Sequence, residues 1–164
     1  MYRINSATVG PVSPPQVELD EIDKLIISEL QRDGRISYAD LAPKVGLSPA
    51  ATRQRVQRLI ESDTVRILAV TDPQSIGYPV MAMLGIRVNG DVTAVADALA
   101  EIPGVIYVVF SSGQFDLLVE MISQDSMSLL ARINDSVRTV AGVESVENFL
   151  YFGTHTHRFG WPIP

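Results

Sequence analysis

The chain has 164 residues, 46% apolar and 20% charged, with a formal net charge of −6. That composition belongs to one globular domain or two small ones, not to a disordered chain. No cysteine is present, which removes disulfide frameworks, cysteine-ligated zinc, thiol catalysis and thiol redox sensing, and fits a reducing compartment. No apolar run reaches the roughly 20 residues of a membrane span. The opening MYRINSATVG has no basic segment followed by an apolar one, so the expectation is a cytoplasmic protein with no secretory leader and no membrane partner.

The charge is unevenly spread. Residues 1–66 hold nine basic residues (Arg3, Lys24, Arg32, Arg35, Lys44, Arg53, Arg55, Arg58, Arg66) and nine acidic ones, whereas residues 67–164 hold four basic and ten acidic. The acidic total argues against a general polyanion binder, and the neutral first part leaves room for a small basic surface.

Residues 1–17, with Gly10, Pro11, Pro14 and Pro15, read as a flexible N-terminal extension. A first helix is expected from about Asp20 to Asp33, with Ile22, Leu25, Ile26 and Leu30 as its apolar face and Asp20 as its cap. A second starts at Ser37, buries Leu41, Ala42 and Val45, and stops at Gly46; Pro43 inside it predicts a short or kinked helix. A third opens with Ser48-Pro49, a cap followed by proline at the first helical position, and turns Thr52, Val56, Leu59 and Ile60 inward. An extended stretch, Val65–Val70, follows. Three short helices with glycine in the second turn and a strand behind make a helix-turn-helix layout over 18–64.

Asp72-Pro73 and Gly77-Tyr78-Pro79 punctuate a linker over 65–79. The next segment, 80–152, reads strand (80–88), helix (92–101), strand (105–111), strand (115–122), helix (126–139), strand (143–152). Pro103-Gly104-Val105 and Ala141-Gly142-Val143 each follow a helix and open a strand, 38 residues apart. Two βαβ units of this size make a ferredoxin-like βαββαβ domain, so the fold class is α+β. Alternation puts Ala82, Leu84, Ile86 and Val88, and Leu117, Val119 and Met121, against the helices. Ile106, Val108, Phe110, Leu118, Val146, Leu150 and Phe152 then fall on the opposite face. A sheet apolar on both faces needs a second cover, which predicts a homodimer, unless a strand is misphased by one residue. Residues 153–164 form a C-terminal tail.

The third helix carries the chemistry. Between Ser48 and Ile60 there are three arginines and no acid. Ala50, Ala51, Gln54, Gln57 and Arg58 point away from the core stripe, and Arg53 and Arg55 flank it. Small residues near the N-terminus let backbone approach base edges, Gln54 can pair with adenine, and flanking arginines suit phosphates. The bland alternative is a solvated amphipathic helix with ordinary arginines. His155 and His157 share a face if extended and could hold a metal pairwise, but with no cysteine the site would need carboxylates from elsewhere, so a surface tail is expected and no metal site. There is no G-x-S-x-G, P-loop or G-x-G-x-x-G, so no catalytic residue and no cofactor is expected.

The run LDEIDKLIISELQRDGRISYADLAPKVGLSPAATRQRVQRL (19–59) resembles the helix-turn-helix domain of the Lrp/AsnC, or feast/famine, transcription regulators. VTDPQSIGY resembles that family's inter-domain linker, and GQFDLLVEM (113–121) its G-x-x-D signature. Asp63-Thr64 stands where the family usually has glycine before the following strand. The resemblance implies an N-terminal winged helix-turn-helix, a hinge strand and a C-terminal ferredoxin-like sensing domain. It also implies double-stranded DNA and an amino-acid effector as partners, and a homodimer assembling further, often to an octamer. By position it assigns the effector loop to Ser111, Ser112, Gly113, Gln114, Phe115 and Asp116. Asp116 would meet an ammonium group and the amides around Gly113 a carboxylate; on the residues alone, Gly113 and Asp116 equally build a hairpin turn. Two other readings stay open: a ligand-independent architectural DNA-binding protein, and a metabolite-binding or catalytic module whose N-terminal helices make only protein contacts.

Overall fold

The computed structural model describes residues 18–156, 160, 162 and 163; the N-terminal extension, His157 and Trp161 lie outside the described residues. The chain divides into two compact units, one ending at Val70 and including the C-terminal end from Thr156, the other Thr71–His155.

In the first unit, α1 (Glu21–Arg32), α2 (Tyr38–Val45) and α3 (Pro49–Glu61) follow one another. Each is started by a side chain that accepts an otherwise unpaired backbone N–H: Asp20 from Asp23, Ser37 from Asp40, Ser48 from Ala51. In α1 the cap is reciprocal, because the Asp23 carboxylate also accepts the Asp20 N–H. Gly46 ends α2 with φ +70°, a left-handed conformation that opens the turn into α3 at no Cβ cost. Pro43 sits inside α2, which is eight residues long, short as expected.

The core comprises Ile26, Ile27, Leu30, Leu41, Val45, Val56, Leu59 and Val65. Two assigned positions differ. Leu25 is 51% exposed and Ile27 takes its place; Ile60 is 40% exposed. The buried set of α1 is Asp23, Ile26, Ile27 and Leu30, a regular i, i+3, i+4, i+7 stripe whose first member is charged. Ile163, near the C-terminal end, packs onto this core alongside Leu19, Ile22, Ile36 and Leu47.

After α3 the chain turns at Asp63, the one non-glycine residue with positive φ among those described (φ +57°), a conformation aspartate tolerates better than most. Val65 is buried, and its N–H donates to Leu59 O at 3.0 Å. The expected strand behind the helices, Val65–Val70, belongs to no sheet among the described residues. It pairs with no strand among the described residues, and Ile67, Leu68 and Val70 are exposed.

The second unit is a four-stranded antiparallel sheet, order β2-β3-β1-β4, built from β1 (Val80–Val88), β2 (Val105–Phe110), β3 (Leu117–Ser123) and β4 (Val143–Leu150). The helices α4 (Val92–Ala100) and α5 (Ser126–Arg132), the latter continued by a wider π-turn over Ile133–Val137, supply Val95, Ala96, Leu99, Leu129, Ile133 and Val137 to the core. Ala82, Leu84, Ile86, Leu117, Val119 and Met121 meet them, all fully buried. This is the expected ferredoxin-like arrangement.

Strand phase differs at both edges. A bulge at Ile106 lets Val105 and Tyr107 face Met121 and Glu120, so that Val108 and Phe110 register with the core residues Val119 and Leu117. Val146 and Leu150 register with Ile86 and Ala82, again on the helix side. The open face is therefore formed by Met81, Met83, Tyr107, Val109, Leu118, Ile122 and Phe149, with Glu120 and Glu147 among them; of the set that simple alternation assigns, Leu118 is there, whereas Val108, Phe110, Val146 and Leu150 are not. It remains largely apolar.

Candidate nucleic-acid interface and effector loop

With about 100° per residue, the buried stripe Thr52, Val56 and Leu59 defines the inner side of α3. Ala50, Gln54, Gln57 and Glu61 then form the outward side, and all four are exposed. Ser48 caps the helix at the same end as Ala50 and Ala51. The outward side is thus small near its start and amide-bearing in the middle, with a carboxylate from Glu61 at its far end.

The three arginines are not equivalent. Arg53 is exposed on one flank, with no ion pair among the described residues. On the other flank, Arg55 Nη1 donates to Asp20 Oδ2 at 2.6 Å and to Asp23 Oδ1 at 2.9 Å, and Arg58 Nη2 donates to Asp23 Oδ2 at 2.5 Å. Asp23 is 1% exposed. Two carboxylates of α1 therefore meet two guanidiniums of α3, and the cluster is neutral. Its field is visible in both partners: hydrogen bonds from the Asp23 backbone and then from Arg55 hold the Asp20 carboxyl below its ordinary range, while Asp20 and then Asp23 push Arg55 above its own.

Sequence patterning placed all three arginines among the DNA contacts and did not identify Asp20 and Asp23 as their partners. The signal was present: D-x-x-D at the start of α1, and arginines three apart beside the inner stripe of α3.

The loop assigned to the effector joins β2 to β3. Ser111, Ser112, Gly113 and Gln114 are exposed; Phe115 and Asp116 are half-buried. Ser111 N–H donates to Asp116 O at 2.8 Å and closes the loop. Asp116 N–H donates to Ile86 O, and Asp116 Oδ2 accepts the Val88 N–H at 2.8 Å. The β1–β3 ladder ends at Ile86 and Leu117, so this carboxylate extends the pairing by one further bond. One oxygen of Asp116 thus holds the loop to β1. Phe115 lies over Gly85 on the open face and meets Phe149 edge-to-face at 6.0 Å between ring centres. On the same face lies Tyr151; desolvation, then the Glu120 carboxylate, push its phenol up to about 12.

Two family models match the chain: an AsnC-type helix-turn-helix domain over residues 19–60 and an Lrp/AsnC ligand-binding domain over residues 81–160. The HTH-type transcriptional regulator FL11 of Pyrococcus horikoshii is 31% identical over 150 residues, covering 90% of this chain and 99% of that protein. The leucine-responsive regulatory protein of Rhizobium meliloti is 31% identical over 140 residues, covering 82% and 90%. Among solved structures, the transcriptional regulator NMB0573 of Neisseria meningitidis in complex with L-Met superposes with a TM-score of 0.80 at 22% identity, covering 88% of this chain and 96% of that one. AsnC of E. coli does so with a TM-score of 0.78 at 20% identity, covering 85% and 96%.

Proposed function

The chain belongs to the Lrp/AsnC family of transcriptional regulators, and from that premise we propose that α3 reads the major groove of an operator while the Ser111–Asp116 loop serves an amino-acid effector. The observation that carries the DNA reading is the outward side of α3. Ala50 and Ala51 allow close approach, Gln54 and Gln57 offer amides to base edges, and Ser48 and Arg53 stand where backbone phosphates pass. Arg58, half exposed, borders the same track from the α1 side.

The effector reading is supported by the matched ligand-binding domain and by the relative solved with L-Met. Serine hydroxyls, the Gln114 amide and open backbone at Gly113 suit an amino-acid carboxylate, and the unbonded oxygen of Asp116 suits its ammonium group. We further propose that the open sheet face and the exposed Ile67, Leu68 and Val70 are covered by a second copy, giving a homodimer that assembles to an octamer. The effector then acts by shifting that assembly, and with it operator affinity.

The test starts with a duplex selected by the protein from a random-sequence library. Arg53→Ala should lower the slope of log affinity against log salt by about 0.9, one phosphate contact. Gln54→Ala should cost about 1–3 kcal/mol of discrimination at one base pair. Failure to select any duplex refutes the DNA reading. Amino acids are then titrated against operator affinity and sedimentation; if none changes either, the effector claim falls and a ligand-independent architectural protein takes its place.

A further inference from the structure

Asp23 is the one buried charged residue among those described. Removing a carboxylate from water is costly, and a buried ion pair replaced as a whole by well-packed apolar side chains is often as stable or more so. Asp23 neighbours Ile26 and Ile27 on the stripe that α1 buries, where an apolar residue would serve packing alone. Besides closing the cap on the Asp20 N–H, a carboxylate adds direction. Each of its oxygens takes one guanidinium of α3, Oδ1 from Arg55 and Oδ2 from Arg58. The two arginines are three residues apart, so a single carboxylate bridging both fixes the rotation of α3 about its axis as well as its distance from α1. The same bonds change the charge of the surface. Arg55 and Arg58 are 28% and 52% exposed; unclamped, both reach solvent and any passing phosphate.

We propose that Asp23 is a positioning residue of the reading helix: it holds α3 at one rotation through Arg55 and Arg58 and withholds their charge from random phosphates, so that binding depends on the base-facing residues. This rests on the reading of α3 as the DNA-contacting helix. Affinity for non-specific DNA is set by the number of phosphates neutralised, whereas discrimination comes from base contacts held in register. A clamp that lowers the first and secures the second raises the ratio of the two.

The experiment uses the full-length protein, the selected duplex and a scrambled duplex of equal length and composition, with anisotropy measured over a series of KCl concentrations. Asp23→Asn and Asp23→Leu should bind the scrambled duplex more tightly at low salt. Their salt slope on it should steepen by about 1–2 as one or two arginines are released, and the selected-to-scrambled ratio should fall about tenfold. Asp23→Glu, which keeps the charge, should recover part of that ratio. Asp23→Leu separates the role from stability, because its ratio should fall even where its melting temperature equals or exceeds that of the wild type. Unchanged slopes and ratios in Asn and Leu variants overturn the proposal. So does a parallel loss on both duplexes that tracks the unfolded fraction. If the wild type prefers no duplex over the scrambled one, the DNA reading fails first and is recognised by that result alone.

Discussion

Replacing Gly85 by alanine is the sharpest test of how the loop is tied to the sheet. In a strand interior this change ordinarily stabilises, by about 0.4–1 kcal/mol, because glycine has more freedom to lose. Here the sign should reverse. A Cβ at Gly85 would come within 2.6–2.7 Å of three ring carbons of Phe115, against the roughly 3.5–4.0 Å of an ordinary carbon contact. The ring must therefore retreat by about 1 Å, and such overpacking costs about 1–3 kcal/mol. Phe115 can retreat only by turning about its own side-chain torsions, because Asp116 beside it is bonded to Ile86 and Val88 of the same strand. The assay is a double-mutant cycle read by hydrogen exchange of β1 and β3 in the full chain. Gly85→Ala should lose protection. Phe115→Ala should lose about 1–2 kcal/mol of half-buried aromatic surface. In the double variant the new methyl finds space, so its loss should be close to that of Phe115→Ala alone, a favourable coupling of about 1–3 kcal/mol. Simple additivity, or a stabilised Gly85→Ala, would refute the argument that Phe115 is seated on Gly85.

Three further outcomes are expected. Tyr151 should titrate above the ordinary phenol range: its phenol is neutral-favouring in the fold, so its contribution is full below pH 10 and fades as pH rises toward about 12; Glu120→Gln should bring its phenolate absorbance down in pH, and no movement would remove the Glu120 contribution from the account. Acid should loosen the helical unit, because Asp20 is depressed by the Asp23 backbone and Arg55, and Glu29 by Lys44 and then Arg32; that stability is present above the ordinary carboxylate range and lost as pH falls through the depressed values, and Lys44→Met should flatten the Glu29 part of the transition. Ile163→Ala should cost the helical unit about 1 kcal/mol, the worth of a half-buried isoleucine, seen as faster exchange in α1 and unaltered exchange in β1–β4.

The helices were legible because their signals are local. Asp20, Ser37, Ser48, Pro49 and Gly46 each act on backbone groups within four residues, and a reader needs no tertiary knowledge to place them. The sheet was legible in order, and in phase along its two central strands but not at its edges. Alternation along β2 holds only while one residue opposes one residue, and the bulge at Ile106 breaks that count. Nothing in Val105–Phe110, a run of apolar and aromatic residues throughout, marks where the extra residue sits. The stretch Val65–Val70 shows the converse: its composition suits a strand, but a strand is made by its partner, and the described residues supply none there.

The site divides along the same line. The outward side of α3 follows from the helical repeat, so Ala50, Gln54 and Gln57 could be placed from the sequence. The state of the arginines could not, because it depends on residues 32 to 35 positions away. Patterning also works against finding them. A buried stripe is sought among apolar residues, so Asp23 disqualified the true face of α1 and moved the apparent face toward Leu25. Yet a charge at a buried position is the more informative observation, since it is tolerated only where another group neutralises it. Searching for the charge that breaks a stripe, and then for two opposite charges at matching spacing on a neighbouring helix, would have paired Asp23 with Arg55 and Arg58. The same search predicts a reciprocal result: Arg55→Ala with Arg58→Ala strands Asp23 and should cost the helical unit about 3–5 kcal/mol, whereas Arg53→Ala, matched by no carboxylate among the described residues, should leave its melting unchanged. Equal melting of the two variants would mean that the clamp contributes nothing to the fold.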